Sequence, residues 1–244
     1  MRNVLVTGAA ARLGRAIARE LHRDHRVIIH YRSSANAARA LVEELNAIRA
    51  DSAAAVQSTL GNKADCEALA SEATAQWGGI DVLVNNASAF HPTPIGSADE
   101  AAWDELVGSN LKAPFFLSQA LAPSLSRDNG CIVNMADIHA ERPMPQHTIY
   151  CAAKAGLVML TKSLALELSP RVRVNAVAPG AILWPEKEDE AVDSDTQAGI
   201  LARIPMGRTG READIARTVR FLVSGQDYIT GQVLAVDGGR SLNI

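Results

Sequence analysis

The chain has few of the residues that mark disulfide-stabilised, metal-binding or nucleic-acid-binding proteins. Its 244 residues include three widely spaced cysteines, an odd number that argues against a disulfide framework and fits a reducing cytoplasm. The six histidines form no pair at the spacing of metal ligands and no cluster with cysteines, so no metal site is expected. The net charge of -3, with scattered Lys and Arg, predicts no binding to nucleic acid.

Long apolar segments are also missing from the sequence pattern. The first eight residues, MRNVLVTG, resemble the start of a strand and lack the apolar segment of a signal peptide. No other stretch reads as long enough to span a bilayer, so no membrane association is expected. No Gly/Ser/Pro-rich linker or internal repeat divides the chain, and 48% of its residues are hydrophobic. One domain covering residues 1–244 is therefore predicted.

Short β-branched runs alternate with longer helical patterns along the chain. Strands are predicted at residues 4–7, 26–31, 53–58, 82–85, 131–135, 172–177 and 233–236, and helices at 12–23, 34–50, 63–77, 111–126 and 150–168. Several strands are apolar on both faces, as expected when helices cover both sides of a sheet. The pattern predicts an α/β fold with a Rossmann-type, doubly wound parallel sheet. Ligands of such sheets bind beyond the carboxyl ends of the strands.

The first predicted strand runs into a turn of small residues, TGAAARLG, at residues 7–14. Small residues let the backbone approach a pyrophosphate, and the following helix offers free N–H groups and the positive end of its dipole. We therefore expect Gly8, Arg12, Leu13 and Gly14 to bind a dinucleotide. A plain glycine-containing turn is the alternative.

The end of the second strand indicates which nicotinamide cofactor is used. An acidic residue there would bind the ribose hydroxyls of NADH, whereas a cation suits the 2′-phosphate of NADPH. The chain has no acid at this point, and Arg32 supplies a guanidinium that suits phosphate. NADPH is therefore predicted, bound here by His30, Tyr31, Arg32, Ser33 and Ser34. A solvent-exposed turn is the alternative.

Five motifs in order carry a family resemblance that covers nearly the whole chain. They are the turn at residues 7–14, Asn85-Asn86-Ala87, Asn110, Tyr150-x-x-x-Lys154 and Pro179-Gly180. Together they resemble the short-chain dehydrogenase/reductase family. The resemblance implies that Lys154 holds the nicotinamide ribose and that Asn110 supports a proton-relay water. It also implies further cofactor contacts at Thr59, Leu60, Asn86, Ala87, Ser88, Met135, Tyr150, Pro179 and Gly180. An aspartate that binds adenine is usual at position 59, so Thr59 puts that contact in doubt.

Tyr150 and Lys154 are four residues apart at the start of a predicted helix, so they share one face. A free tyrosine has a pKa of about 10, and a nearby ammonium favours the phenolate, which brings proton transfer closer to neutral pH. The pair is therefore predicted to be catalytic. The alternative is an ordinary helical pair.

Two departures from the common family pattern narrow the resemblance. Asp137 stands where the usual assisting serine would be, and Arg12 replaces the middle glycine of the first turn. With HYRSS at residues 30–34 and Phe90, these features resemble the pteridine reductases of the family. The resemblance implies NADPH-dependent reduction of a dihydropterin, dihydrofolate or oxidised pterin. It also implies a homotetramer.

A flat, aromatic pterin suits the residues that follow the predicted strands. Phe90 is expected to stack on one face of it, and Ser88 and Arg12 to bind its polar edge or the cofactor phosphates. Asp137 is expected to orient or recharge Tyr150, because an ionised carboxylate would repel the charge that develops on a ketone oxygen. The alternatives are a turn-capping role for Asp137 and a simple core position for Phe90.

The segment at about residues 180–204 is acidic and poor in strand signal. It is predicted to be a substrate lid with Leu183 and Trp184 facing inward, or else a solvated surface loop. The rival function to pterin reduction is a short-chain carbonyl reductase acting on a 3-oxoacyl thioester or another ketone. A cofactor-binding regulator without catalysis is the third possibility, although it would have no need of Tyr150, Lys154 and Asn110.

Overall fold

The computed structural model describes residues 1–182 and 194–243, in which seven parallel strands form one sheet. The strand order is β3-β2-β1-β4-β5-β6-β7. The strands are β1 (Asn3–Val6), β2 (Arg26–Tyr31), β3 (Ala53–Gln57), β4 (Val82–Asn85), β5 (Gly130–Met135), β6 (Val172–Pro179) and β7 (Val233–Val236).

Helices cover both faces of this sheet. They are α1 (Arg12–His22), α2 (Ala35–Ile48), α3 (Lys63–Trp77), α4 (Glu100–Val107), α5 (Ala113–Leu125), α6 (Thr148–Leu168), α7 (Ser194–Ala202) and α8 (Glu212–Arg220). Buried side chains of α1, α2 and α8 pack on one face, and those of α3, α5 and α6 pack on the other. The predicted doubly wound α/β fold is confirmed.

The central strands are buried throughout, as their uninterrupted apolar sequences predict. Every residue of β1, β4 and β5 is buried. Along β1, Val4 and Val6 join the core beneath α1, whereas Leu5 joins the core on the opposite face. This alternation of side chains between two apolar layers explains why the strand has no polar face.

Three of the helices in the described residues were not predicted. Helix α4 spans eight residues, too few turns for its apolar residues to show a helical period, and Asp99 caps it by accepting a hydrogen bond from the N–H of Ala102 at 2.8 Å. Helix α7 lies in the segment predicted as a lid or loop, so the described part of that segment is helical at Ser194–Ala202. Helix α8 packs beside α1.

Helix α6 is long and apolar enough to cross a membrane by length and composition, so the prediction that no stretch is long enough to span a bilayer is wrong. In the fold its buried side chains, among them Leu157, Thr161 and Leu164, face the sheet, and the helix contacts β6. These are the contacts of a core helix.

The strand order places the predicted site residues at one edge of the sheet. The winding direction reverses at β1, whose neighbours are β2 and β4. The turn after β1 and the Asn86-Ala87 segment after β4 therefore flank the crevice in which such sheets bind ligands. Met135 and Pro179 end the adjacent strands β5 and β6 at the same edge.

Candidate active site

Tyr150 and Lys154 lie in the first two turns of α6 and are buried against the carboxyl end of β5. The Lys154 Nζ atom donates a hydrogen bond to the Met135 carbonyl oxygen at 2.7 Å and lies 5.6 Å from the centre of the Tyr150 ring. The two side chains share one face of the helix, as their spacing predicts. The lysine is therefore held by the strand end rather than by the phenol.

Asp137 is the hydrogen-bond partner of the tyrosine. The Tyr150 hydroxyl donates to Asp137 Oδ2 at 2.7 Å. The other carboxylate oxygen accepts the N–H of His139 at 2.8 Å and so caps a short 3-10 turn, Ile138–Ala140. Asp137 thus has both roles that the sequence left open: it caps a turn, and that cap fixes the carboxylate beside Tyr150.

The electrostatics of this group correct one expectation from the sequence. Burial, followed by the charge of Asp137 and its hydrogen bond, raises the pKa of Tyr150. The predicted lowering of the Tyr150 pKa by Lys154 is therefore wrong in direction, because burial disfavours the phenolate and the hydroxyl contacts the carboxylate rather than the ammonium. Burial lowers the pKa of Lys154 to about 8, although Asp137 opposes that shift. Tyr150 is a phenol whose proton points at a carboxylate.

Asn110 lies in a π-helical turn, Gly108–Lys112, that joins α4 to α5. Its side-chain amide donates to the carbonyl oxygens of Leu106 and Ala89 at 2.9 and 2.8 Å, and its Oδ1 atom accepts the Ser88 hydroxyl at 2.7 Å. The amide bonds a carbonyl within its own helix, as side chains in irregular helical turns often do. Asn110 therefore fixes the loop after β4, while its predicted support of a relay water stays a prediction.

The turn after β1 is a close-packed cradle. Gly8 has φ +61°, and a Cβ atom there would lie 3.0 Å from the Ala87 Cα atom. A Cβ atom at Gly14 would lie 2.2 Å from the Gly8 carbonyl oxygen. Helix α1 has neither a side-chain cap at Ala11 nor an acid in its first turn, so its N–H groups remain available to an anion. The cradle fits a dinucleotide pyrophosphate.

Arg12 occupies a backbone position that favours glycine. Its φ of +48° lies in the left-handed region, which costs a non-glycine residue about 1 kcal/mol or more. The exposed side chain lines the same cavity as Gly8 and Gly14. The strain explains why a glycine is usual at this point, and the placement matches the predicted contact with an anion.

His30 supports the cradle from below. Its Nδ1 atom accepts the Gly8 N–H at 3.1 Å, and its Nε2–H donates to the Ser58 carbonyl oxygen at 3.1 Å. Burial lowers the pKa of His30 to about 4, so the ring is neutral near pH 7 and can accept at one nitrogen while donating at the other. Both ring nitrogens are hydrogen-bonded to the protein backbone, so His30 holds the turn after β1 in position.

A cavity of about 720 Å³ runs along this edge of the sheet. It gathers residues that are far apart in sequence, from the ends of β1, β2, β3 and β4 and from α4. Its lining includes the predicted residues Gly8, Arg12, Leu13, Gly14, His30, Tyr31, Arg32, Ser33, Ser34, Thr59, Leu60, Asn86, Ala87, Ser88 and Phe90. The structure therefore brings these predicted residues together around one space, whereas Met135, Asp137, Tyr150, Lys154, Pro179 and Gly180 are not part of its lining.

The segment that follows β3 differs from the family pattern at Thr59. The Thr59 hydroxyl donates to Asp65 Oδ2 at 2.5 Å, and the same oxygen accepts the Gly61 N–H at 3.0 Å. These bonds lower the pKa of Asp65, with the Thr59 bond as the largest cause. The hydroxyl of Thr59 is thus engaged within the protein, and its contact with adenine stays a prediction.

Phe90 is a surface aromatic next to the tyrosine. Its side chain is 57% exposed, so the interpretation as a simple core residue is wrong. The Phe90 ring stacks on His147 with centroids 4.7 Å apart and meets Tyr150 edge-on at 4.9 Å. His147 was not predicted from the sequence, although its position one helical turn before Tyr150 is a usable signal. The three rings form an aromatic wall beside the phenol.

The remaining predicted residues lie at and beyond the end of β6. The Gly180 N–H donates to the Val236 carbonyl oxygen at 3.1 Å, and a Cβ atom at Gly180 would lie 2.6 Å from the Cβ atom of Asp237. Pro179 precedes it as the last residue of β6. Leu183 and Trp184 fall outside the described residues, so the lid stays a prediction.

Comparison with known proteins agrees with this geometry. The family model described as Enoyl-(Acyl carrier protein) reductase matches residues 8–241. The chain belongs to the short-chain dehydrogenase/reductase family of oxidoreductases, whose members use nicotinamide dinucleotides.

Relatives with different substrates are similarly close to the chain. The 3-oxoacyl-[acyl-carrier-protein] reductase FabG of Staphylococcus aureus is 38% identical over 242 residues, covering 98% of this chain and 97% of that protein. Pteridine reductase 1 of Leishmania tarentolae is 38% identical over 280 residues, covering 98% and 96%. The 3beta-hydroxysteroid dehydrogenase 1 of Eggerthella lenta is 36% identical, covering 99% and 94%. Overall identity therefore establishes the family but does not distinguish between substrates, which depend on the residues of the site.

Proposed function

We propose that this protein is an NADPH-dependent pteridine reductase that reduces a C=N bond of a dihydropterin, dihydrofolate or an oxidised pterin. The observation that carries the proposal is the 2.7 Å hydrogen bond from Tyr150 to Asp137, a carboxylate at the position of the usual serine. A serine hydroxyl would donate to the developing oxyanion of a ketone. An ionised carboxylate cannot donate and would repel that charge, so the site favours a different acceptor.

Tyr150 is suited to give a proton to a ring nitrogen. Its raised pKa keeps it protonated, and the Asp137 carboxylate fixes the direction of its hydroxyl. As negative charge develops on the substrate nitrogen, the hydroxyl proton leaves its hydrogen bond to Asp137, moves to that nitrogen and leaves a phenolate. Lys154, held at 2.7 Å from the Met135 carbonyl, is the nearby acid that resupplies the proton to the phenolate.

The aromatic wall supports a flat substrate. Phe90 exposes its ring and lies within 5 Å of Tyr150, while His147 backs it by stacking. Offset stacking on such a ring holds a planar heterocycle in a fixed orientation at the phenol. Ser88 is anchored by its bond to Asn110 beside the same cavity, which places a hydroxyl near the predicted polar edge of the pterin.

The cradle and the cation after β2 support NADPH as the cofactor. Gly8 and Gly14 allow the turn after β1 to pack so closely that a Cβ atom at either would clash with the protein, and Arg32 and Arg12 line the same cavity as positive charges. When bound, the cofactor supplies the hydride. The residues of the chain bind it, orient the substrate and deliver the proton.

A second candidate is a carbonyl reductase that acts on a 3-oxoacyl thioester. It is favoured by the FabG relatives, which match the chain at the same 38% identity as the pteridine reductase. Overall identity does not weigh against a carbonyl reductase, whereas the carboxylate of Asp137 does.

We further propose, from the resemblance, a cytoplasmic homotetramer whose partner is a small-molecule pterin or folate, with no binding to nucleic acid or membranes. Retention of Tyr150, Lys154 and Asn110 in one site favours an enzyme over a cofactor-binding regulator. These assignments extend beyond the family membership established above.

The test is NADPH consumption by the purified protein with dihydrobiopterin, dihydrofolate and a 3-oxoacyl thioester in parallel. We expect turnover of at least one of the two pteridine substrates. Turnover of the thioester alone would contradict the proposal. The Tyr150→Phe variant serves as the control, because it should lose turnover with every substrate, by about 10²- to 10⁴-fold, while it still binds NADPH.

Asp137 allows a sharper version of this experiment. In Asp137→Ser we expect the rate with the pteridine substrate to fall about 10²-fold and the ratio of thioester to pteridine turnover to rise. Asp137→Asn is the matched control, since it keeps the shape but neither the charge nor the family's hydroxyl. An unchanged pteridine rate in both variants would remove the main support for the proposal.

A further inference from the structure

Glu105, on α4, lies between two groups at the solvent side of the 720 Å³ cavity. Its Oε1 atom is 3.6 Å from a terminal nitrogen of Arg32, and its Oε2 atom is 3.4 Å from Nε2 of His91. All three residues line the cavity. The fold thus brings an acid to the end of β2, where the sequence has none.

Arg32 is free to change partner. Its backbone is fixed, because its carbonyl oxygen accepts the Gln57 side-chain amide at 3.0 Å. Its side chain is 67% exposed, and within the described residues Glu105 is its only ion-pair partner. A guanidinium held by one exposed carboxylate can exchange that anion for another at small cost.

A phosphate and the Glu105 carboxylate compete for the same charge. Both are anions that bind a guanidinium through its N–H groups, and when placed close together they repel each other. The carboxylate also retains a second contact, to His91, so it is not left without a neighbour when Arg32 departs.

We propose that Glu105 sets the affinity and selectivity for NADPH by holding Arg32 in the cofactor-free protein and releasing it to the 2′-phosphate. This inference rests on the proposed use of NADPH. Glu105 acts through Arg32 and is a specificity-determining residue. NADH has no 2′-phosphate to take the arginine, so its binding does not depend on this exchange.

The experiment measures cofactor binding directly, without substrate. NADPH and NADH are titrated into the purified full-length protein at low ionic strength, with cofactor fluorescence as the readout. For Glu105→Gln we expect the Kd for NADPH to fall about two- to fivefold, the size expected from removing an exposed ion pair, while the Kd for NADH stays unchanged. Both side chains of the pair are exposed, so the fold should tolerate the change.

Asp104→Asn is the matched control, because it removes the same charge from an exposed neighbour on α4 that has no ion pair among the described residues. The variant should bind both cofactors like the wild type. Equal tightening in Asp104→Asn and Glu105→Gln would overturn the inference, because it would show a general charge effect.

Arg32→Ala completes a double-mutant cycle. If Glu105 acts by holding Arg32, Glu105→Gln should have no effect on NADPH binding in the Arg32→Ala background. A persisting effect would overturn the exchange, and so would an unchanged or weaker Kd in the single variant. A wild-type protein that binds NADPH no better than NADH would instead overturn the proposed cofactor, and the inference with it.

Discussion

The pKa values of Tyr150 and Lys154 are shifted in opposite directions, and the contact between Asp137 and Tyr150 contributes to this separation. Burial and the carboxylate move the pKa of Tyr150 upward, away from neutral pH. Burial moves the pKa of Lys154 downward to about 8. A lysine is charged below its pKa and neutral above it. Of these two groups, Lys154 is therefore the one that changes charge in the weakly alkaline range.

This difference predicts an alkaline limb in the rate. If the Lys154 ammonium resupplies the proton, kcat/KM with the proposed substrate should fall as pH rises through about 8. Asp137 raises the pKa of Lys154, so the fall should begin at a lower pH in Asp137→Asn. The measurement is a pH profile of both proteins from pH 6 to 10. Identical profiles, or a wild-type rate that stays constant to pH 10, would show that Lys154 does not control the limb.

At the scale of single elements, the entry into α1 depends on a contact that helix propensity does not describe. Gly14 is the third residue of α1, where alanine would normally be preferred by about 1 kcal/mol. A Cβ atom there would meet the Gly8 carbonyl oxygen at 2.2 Å and the Asn86 side-chain nitrogen at 2.6 Å. Because the nearest neighbour is a backbone atom of the cradle, either the start of α1 or the cradle would have to shift.

We therefore expect Gly14→Ala to lower the free energy of unfolding by about 1–3 kcal/mol, as overpacking does, and to weaken NADPH binding at least tenfold. Gly108→Ala is the matched control, since its Cβ atom would meet nothing within 4 Å. It should leave stability within about 1 kcal/mol of the wild type. Urea unfolding and cofactor titration measure both quantities. Similar stability and binding in the two variants would argue against the close approach at Gly14.

At the scale of the whole molecule, several large apolar side chains remain exposed on helices that contact α6 or belong to it. Trp103 on α4, Phe115 on α5 and Leu166 on α6 are examples, and Leu166 is 82% exposed. Large apolar side chains exposed on neighbouring helices are typical of subunit contacts. These side chains are candidates for the helix packing of the proposed homotetramer.

Charged substitutions on these helices should weaken that assembly. We expect Phe115→Glu and Leu166→Glu to lower the mass measured by light scattering after size exclusion, because burying an unpaired carboxylate in an interface is costly. Ile48→Glu, at an apolar and exposed site on α2, is the control and should leave the mass unchanged. A monomeric wild-type protein would refute the tetramer itself.

The strands and long helices were predictable because their apolar runs leave a local signature, and the observed β2, β4, β7 and α3 have the predicted bounds. Helix α4 was not predictable in this way, since its eight residues show too little periodicity. Its position nevertheless matters, because it carries Glu105 to the cavity and leads into the turn that holds Asn110.

The sequence by itself determined the family, the order of the strands and long helices and most of the cavity lining, because the motifs follow strand ends and parallel strands end at one edge. Only the tertiary structure decided the direction of the Tyr150 pKa shift, the exposure of Phe90 on His147 and the pairing of Arg32 with Glu105. Each of these depends on distances between segments that are far apart in the chain. Residue types and spacing do not contain such distances, and packing supplies them.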